Sequence, residues 1–348
     1  MVENDASPCQ PDSATETKVS VIFSFKNEED VLVELINRAR KVLISERNKG
    51  VISNHELIFI NDRSSDRSEE ILKEMAIDHD DIKILNMSKT FGVSPCVMAG
   101  LKWATGDLMI YMDADLQDPP EVIPDMLMAW KQGKDIDVVH TVRTSRDGES
   151  FIKRKITKLG YWVLQSATDI DLMVESGDFK LLSRRATNHI IQLNEFNPFM
   201  RGMVSWVGFN QTFVRYKRQE RFAGETKFPI ISRKVISNFF NSALISFSST
   251  PLQLASITGI GGFIFSFGMM IFVLSEKLQG VTLPGWTAIM TAILFLGSIQ
   301  LLSIGILGLY IHSIFIEVKK RPNFIIESTY GFDEKRAEDV RKHSGNAL

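Results

Sequence analysis

Two long runs without Lys, Arg, Asp or Glu, residues 235–275 and 286–316, most constrain what this chain can become. A charge at the centre of a membrane helix costs about 2.5 to 3.5 kcal/mol on insertion scales, so its absence from both runs is a selective pattern. A spanning helix needs about 20 residues, and Pro251 to Leu274 and Trp286 to Ile316 are each long enough. The alternative, a buried pair of soluble helices, is disfavoured by this length without any charge. Asn238, Asn241 and several serines make the start of the first run interfacial in character. Between the runs only Glu276 and Lys277 are charged; Arg233 and Lys234 precede them, and Lys319, Lys320 and Arg321 follow. The positive-inside rule then puts both ends in the cytoplasm, with a short loop outside. Expected, therefore, are a disordered tail 1–17, a cytoplasmic domain 18–230, an interfacial segment 231–250, transmembrane helices 251–275 and 286–316, and a cytoplasmic tail 317–348. Gly259, Gly261 and Gly262 allow close helix contacts and leave a homo-oligomer open.

The remaining composition excludes several classes. A net charge of −2 over 348 residues gives no electrostatic reason to bind nucleic acid. Two cysteines, Cys9 and Cys96, support neither a disulfide framework nor a zinc site. Met1 to Thr17 lacks the basic start and apolar middle of a secretory signal.

From Lys18 the pattern alternates between strand and helix. Apolar or β-branched runs at Val19–Phe25, His55–Ile60, Ile82–Met87, Leu108–Met112 and Ile136–Val142 are expected strands. Glu28, Glu29 and Asp30 suit a helix start, and Asp66 with Glu69 resembles a capping pair for the next helix. Strands separated by helices argue for βαβ units and a largely parallel sheet, which binds ligands at the carboxyl ends of its strands. Polar groups fall at those ends: Asn27 and Glu28, then Asp62, then Asp113 and Asp115. The last pair closes an apolar strand and precedes Pro119-Pro120, which suit the first turn of a helix. Such carboxylates suit a hard divalent cation shared with phosphates, although an Asp-X-Asp triplet alone is more often a polar turn. No G-x-G-x-x-G or G-x-x-x-x-G-K is present, and the six histidines lack metal-ligand spacing.

Three blocks, Val21-Ile-Phe-Ser-Phe-Lys-Asn27-Glu28-Glu29, Ile60-Asn-Asp62-Arg-Ser-Ser-Asp66 and Asp113-Ala-Asp115-Leu-Gln117-Asp118-Pro119-Pro120-Glu121, resemble family-two glycosyltransferases. Gly177-Asp178-Phe179-Lys180, Arg201 to Phe209 and Ala223-Gly-Glu-Thr-Lys227 narrow the resemblance to the membrane-anchored polyprenyl-phosphate type, exemplified by bactoprenol glucosyltransferase and dolichol-phosphate mannosyltransferase. The resemblance implies a glycosyltransferase-A-like α/β domain with a C-terminal transmembrane hairpin. It also implies inverting transfer of one hexose from a nucleotide sugar, with UDP-glucose favoured, to polyprenyl phosphate at the inner membrane. Carried over by motif, Asp62 contacts the base and Asn27 and Glu28 lie near the nucleoside. Asp113, Asp115 and Gln117 hold Mg2+ or Mn2+, with Asp115 at the reacting centre, and Arg143 and Arg154 bind the acceptor phosphate. Ser24, Lys26, Arg63 and Val93 depart from the family pattern, which bears on the identity of the donor.

Two further stretches remain open on sequence alone. The basic and apolar stretch 151–168 reads either as a membrane-surface helix or as an ordinary amphipathic one. Arg215, Lys217, Arg218, Arg221 and Lys227 either flank the acceptor entrance or mark the cytoplasmic side. A processive polysaccharide synthase and a non-catalytic membrane scaffold are the competing functions. Two spans are few for a channel and Gln-x-x-Arg-Trp is missing, while the intact Asp113, Asp115 and Gln117 disfavour a scaffold.

Overall fold

The structure, a computed structural model, describes residues 17–144 except 134, residues 176–218 except 194, 196 and 197, scattered helical positions between 257 and 275, and residues 285–333. The N-terminal tail to residue 16, the stretch 151–168 with Arg154, and the segment 231–250 lie outside the described residues.

The described chain runs β1 (Lys18–Phe25), α1 (Leu32–Asn48), β2 (Asn54–Asn61), α2 (Ser68–Ile77), β3 (Ile82–Met87), α3 (Val93–Trp103) and β4 (Leu108–Asp113). A 3-10 turn (Pro120–Val122) leads into α4 (Ile123–Gln132), β5 (Val138–Arg143), β6 (Ser176–Ser183), α5 (Arg184–Gln192), α6 (Met200–Trp206) and β7 (Gln211–Tyr216). Last come α7 (Trp286–Val318) and β8 (Ile326–Tyr330). All eight strands form one sheet in the order β7-β5-β6-β4-β1-β2-β3-β8. β6 and β8 run against the others, so the sheet is mostly parallel, as the alternation of elements implied.

Strand periodicity sorts the core into two layers. Val19, Val21, Phe23 and Phe25 join α1, α2 and α4 on one face, while Ile22 joins α3, α5 and α6 on the other. Phe23 stacks on Phe59 with ring centroids 4.8 Å apart, and both are fully buried. Truncating either to Ala would cost about 3 to 5 kcal/mol. Helix α3 lies unusually close to the sheet, since a Cβ on Gly100 would stand 2.4 Å from Ile22 Cγ2. That proximity sets the start of α3 against the end of β2.

Several local expectations change. Asp66 and Glu69 form no capping box: Asp66 accepts from the backbone of Ser68 and Glu29, while Glu69 accepts from Asn86 Nδ2 and pairs with Lys73. Glu28, Glu29 and Asp30 precede α1, which begins at Leu32. Three strands beyond the five expected complete the sheet. β6 inserts antiparallel between β4 and β5, its Asp178 and Lys180 on the face opposite Phe179 and Leu181. Charged residues at inward-facing positions hide that strand from a hydrophobic reading.

Helix α7 contains a 24-residue segment, Phe295–Val318, long and apolar enough to cross a membrane, with none of it buried in the protein. Residues 257–262 are helical and run beside it: a Cβ on Gly262 would lie 3.9 Å from Ile299, and Phe265 meets Phe295 edge-on at 6.4 Å. After α7 the chain returns to the sheet. Ile326 pairs with Met87, Ser88 N–H donates to the Ile325 carbonyl, and Phe332 packs edge-on against Trp103 at 4.9 Å. Gly331 takes φ +77° and lies so close to β3 that a Cβ would stand 2.6 Å from the Ile82 carbonyl oxygen. β7 and β8 are the two outermost strands, and β7 ends and β8 begins at the same end of the sheet, where β1, β2 and β4 also end.

Candidate active site

The carboxyl ends of β1, β2 and β4 each pass into a residue with positive φ: Asn27 (+54°), Arg63 (+55°) and Leu116 (+56°). Non-glycine residues occupy this region at a cost, and such strain gathers where a surrounding structure imposes it, often at functional sites. Here the first two loops lock together. Asn27 N–H donates to Ser64 Oγ at 2.9 Å, and Ser65 N–H returns a bond to Asn27 Oδ1 at 2.7 Å. Glu28 N–H donates to Ser68 Oγ at 3.0 Å, and the Glu28 carbonyl receives the first amides of α1. Buried Asn61 accepts from Ser64 N–H and donates to Asn86, which donates in turn to Ser328 of β8. The β1 and β2 loops are therefore one preorganised wall.

Asp62 belongs to that wall and serves a backbone. Its two oxygens accept from Phe91 N–H (2.7 Å) and Gly92 N–H (3.0 Å), fixing the entry to α3. The departures from the family pattern cluster nearby. Lys26 Nζ donates to Thr90 Oγ1 at 2.7 Å, Arg63 donates to the Ser88 carbonyl, and Val93 stands exposed in the first turn of α3. Arg63 takes a left-handed backbone, which glycine would adopt at less cost, and bridges two strand ends.

The β4 loop carries the negative charge. Gln117 N–H donates to Asp115 Oδ1 at 3.1 Å, which folds the loop back under buried Leu116. Burial, then the neighbouring charges of Asp178, Asp115 and Asp118, push the Asp113 carboxyl up to about 7, with Arg143 pulling the other way. Several carboxylates around the half-buried Asp113 suit a cation, and all are hard oxygen donors of the kind Mg2+ and Mn2+ take. Among the described residues no three His, Cys, Asp or Glu side chains make a cage alone. An ion here would therefore need oxygens from substrate phosphates beside one or two carboxylates.

Arg143, at the end of β5, reaches this cluster. Its Nη2 lies 3.3 Å from Asp118 Oδ2, and its Nε donates to the Tyr216 hydroxyl at 3.2 Å. Burial works against its charge, but Asp118 and Tyr216 more than offset it.

Asp178 and Arg201, quoted above only as parts of motifs, also enter the site. They form two hydrogen bonds, Nε–Oδ1 at 2.7 Å and Nη2–Oδ2 at 2.6 Å. Burial pushes the Asp178 carboxyl up, yet Arg201 holds it below the ordinary range. Beneath it, Lys180 is buried with Nζ 3.1 Å from His140 Nδ1, and burial lowers its ammonium to about 7. Burial, then Lys180, lowers His140 to about 4. Strand alternation at Asp178 and Lys180 was the available signal, since both lie on the face of β6 opposite Phe179 and Leu181.

Residues 20–191 match the family described as glycosyl transferase family 2. The uncharacterized glycosyltransferase YkcC of Bacillus subtilis is 41% identical over 321 residues, covering 91% of this chain and 95% of that protein. The bactoprenol glucosyl transferase of Shigella phage SfII is 34% identical over 315 residues, covering 90% of this chain and 98% of that protein. Among solved structures, glucosyl-3-phosphoglycerate synthase from Mycobacterium tuberculosis aligns over 65% of this chain and 80% of that chain, at 19% identity and a TM-score of 0.43. That last likeness is too loose to bear on the site. The two sequence relatives extend from the catalytic domain through the apolar segments, and with them the chain belongs to glycosyl transferase family 2.

Proposed function

We propose that the chain transfers one hexose from a nucleoside-diphosphate sugar, UDP-glucose in the favoured form, to polyprenyl phosphate at the cytoplasmic face of the inner membrane. The observation that supports this reading is a shared end of the sheet. The carboxylate loop follows β4 at the end where β7 also finishes and β8 starts, the two strands that precede and follow the apolar segments in the chain. A site at that end would meet a soluble donor on one side and a leaflet-bound acceptor on the other. The lipid acceptor draws further support from relatives named bactoprenol glucosyl transferase. A membrane hairpin is supported by the contacts of Gly262 and Phe265 with α7.

In the reaction an oxygen of the lipid phosphate bonds to the anomeric carbon from the face opposite the leaving group. The bond from that carbon to the diphosphate breaks, its electron pair leaves on the nucleoside diphosphate, and the configuration inverts. The acceptor is already ionised at neutral pH, so the chain needs no strong base. A divalent cation, when bound, offsets charge on the departing diphosphate. Asp113, Asp115 and Gln117 are its proposed ligands. Asn27, Glu28 and Asp62 form the nucleoside wall, and Arg143 with Arg154 draws in the acceptor phosphate.

Membranes carrying the protein, with Mg2+ or Mn2+, should move label from one of a panel of uridine and guanosine sugars into an organic-extractable, mild-acid-labile lipid. Asp115→Ala should lower that transfer by about 100-fold or more. The reading fails if no donor labels lipid and Asp115→Ala leaves metal-dependent nucleotide binding unchanged. Label in a large product outside the lipid fraction would indicate a polysaccharide synthase instead.

A further inference from the structure

Asp118 shares a loop with Asp113 and Asp115, yet its carboxylate serves the opposite half of the site. It is 1% exposed. The Tyr216 hydroxyl donates to its Oδ1, Arg143 Nη2 lies 3.4 and 3.3 Å from its two oxygens, and Arg218 Nε stands 3.7 Å from Oδ1. Arg143 and Tyr216 are paired across β5 and β7, and Arg143 Nε donates to the same phenol at 3.2 Å. Gly177 completes the pocket, since a Cβ there would stand 3.3 Å from Arg143 Nη2. One carboxylate and one phenol thus hold Arg143 in place, and the same carboxylate faces Arg218. One carboxylate stands against the two arginines, Asp113 and Asp178 act on Arg143 from further off, and among the described residues Arg218 Nε is shielded from water without a hydrogen-bond partner. An orphaned donor costs free energy until an acceptor such as an anion arrives.

We propose that Asp118, with Tyr216, is a positioning residue that holds Arg143 and Arg218 as one fork for a phosphate monoester anion. Through the loop 113–118 it also fixes the distance between that fork and the cation-binding carboxylates. The inference rests on the lipid-phosphate transfer proposed above and adds Arg218, Tyr216 and Asp118 to its acceptor half. A fixed spacing between nucleophile and leaving group is where orientation contributes most to rate.

Asp118→Asn keeps the shape, removes the charge and sets an amide N–H against Arg143. It should raise the apparent KM for polyprenyl phosphate about tenfold while the donor KM stays within about twofold. Tyr216→Phe should act in the same direction, by about threefold. In an Arg143→Ala background, Asp118→Asn should add less than about twofold, because its effect passes through Arg143. Direct binding of a short-chain prenyl phosphate to the full chain in detergent, without donor, should rank the variants the same way. Equal rises in both KM values, or full additivity with Arg143→Ala, would overturn the fork. An unaltered chain that neither binds the prenyl phosphate nor transfers to it would sink the reaction and the fork together. Equal binding by the unaltered chain and Asp118→Asn would sink the fork alone.

Discussion

Burial and the charges of Asp178, Asp115 and Asp118 leave Asp113 titrating at about 7, well above an unfolded aspartate near 3.9. The folded chain therefore binds this proton more tightly than the unfolded chain does. The stability it contributes is complete below about pH 3.9 and is lost as pH rises through about 7. A divalent cation at the same carboxylate must displace the proton below that value and meets an ionised ligand above it. Mn2+ should thus raise the thermal midpoint more at about pH 8 than at about pH 6, and chelation should abolish the difference. Scanning fluorimetry reads this directly, and Asp113→Asn should flatten the pH dependence. An equal gain at both pH values would count against a cation on Asp113. The position of Asp113 and Asp115 at the end of β4 was legible in the sequence because an apolar strand stops abruptly in front of them, while Gln117 came only with the family resemblance. Asp118 was not, since its meaning lies in a phenol 98 residues away. Asp62 was legible as a site position, while its hold on Phe91 and Gly92 needed the sheet to bring the two loops together.

At the level of elements the same distinction holds. β1 to β4 are apolar on both faces because helices cover both, and so they show as continuous runs. β6 mixes Asp178 and Lys180 with its apolar residues, and β8 is five residues of mixed character. What makes β8 a strand is β3, reached across 242 residues of sequence in the Asn86–Ser328 bond. This strand joins α7 to the wall formed by the β1 and β2 loops, through Ser328, Asn86, Asn61 and Ser64 to Asn27. Phe332 holds it down against Trp103, where Lys83 also lies 5.2 Å from the Phe332 ring centre. Phe332→Ala should cost about 1 to 3 kcal/mol, less than a fully buried phenylalanine. Amide exchange at Ser88 and Ser64 should quicken before exchange in the β1 core. Unchanged protection at both amides would mean that β8 merely decorates the edge.

The chain leaves the sheet after β7 and returns to it at β8 from the same end. Ile325, whose carbonyl accepts from Ser88, lies seven residues beyond the end of α7 at Val318. A chain covers at most about 3.5 Å per residue, so Ile325, the partner of Ser88, stands within roughly 25 Å of that helix end. The opposite ends of β1 and β2, at Lys18 and Asn54, are a full eight-residue strand further along the sheet, roughly 26 Å. If α7 spans the bilayer, the end bearing Asp113, Arg143 and Tyr216 is the membrane-proximal one. A photoactivatable prenyl phosphate in membranes should then label peptides containing residues 26–30, 88–92 and 114–118. It should spare those containing residues 50–56 and 104–108, at the far end of the sheet. Equal labelling of both ends would contradict the orientation even if transfer activity were found. Labelling confined to the near end would persist in Asp115→Ala, because the placement comes from β7, β8 and α7 and not from the carboxylates.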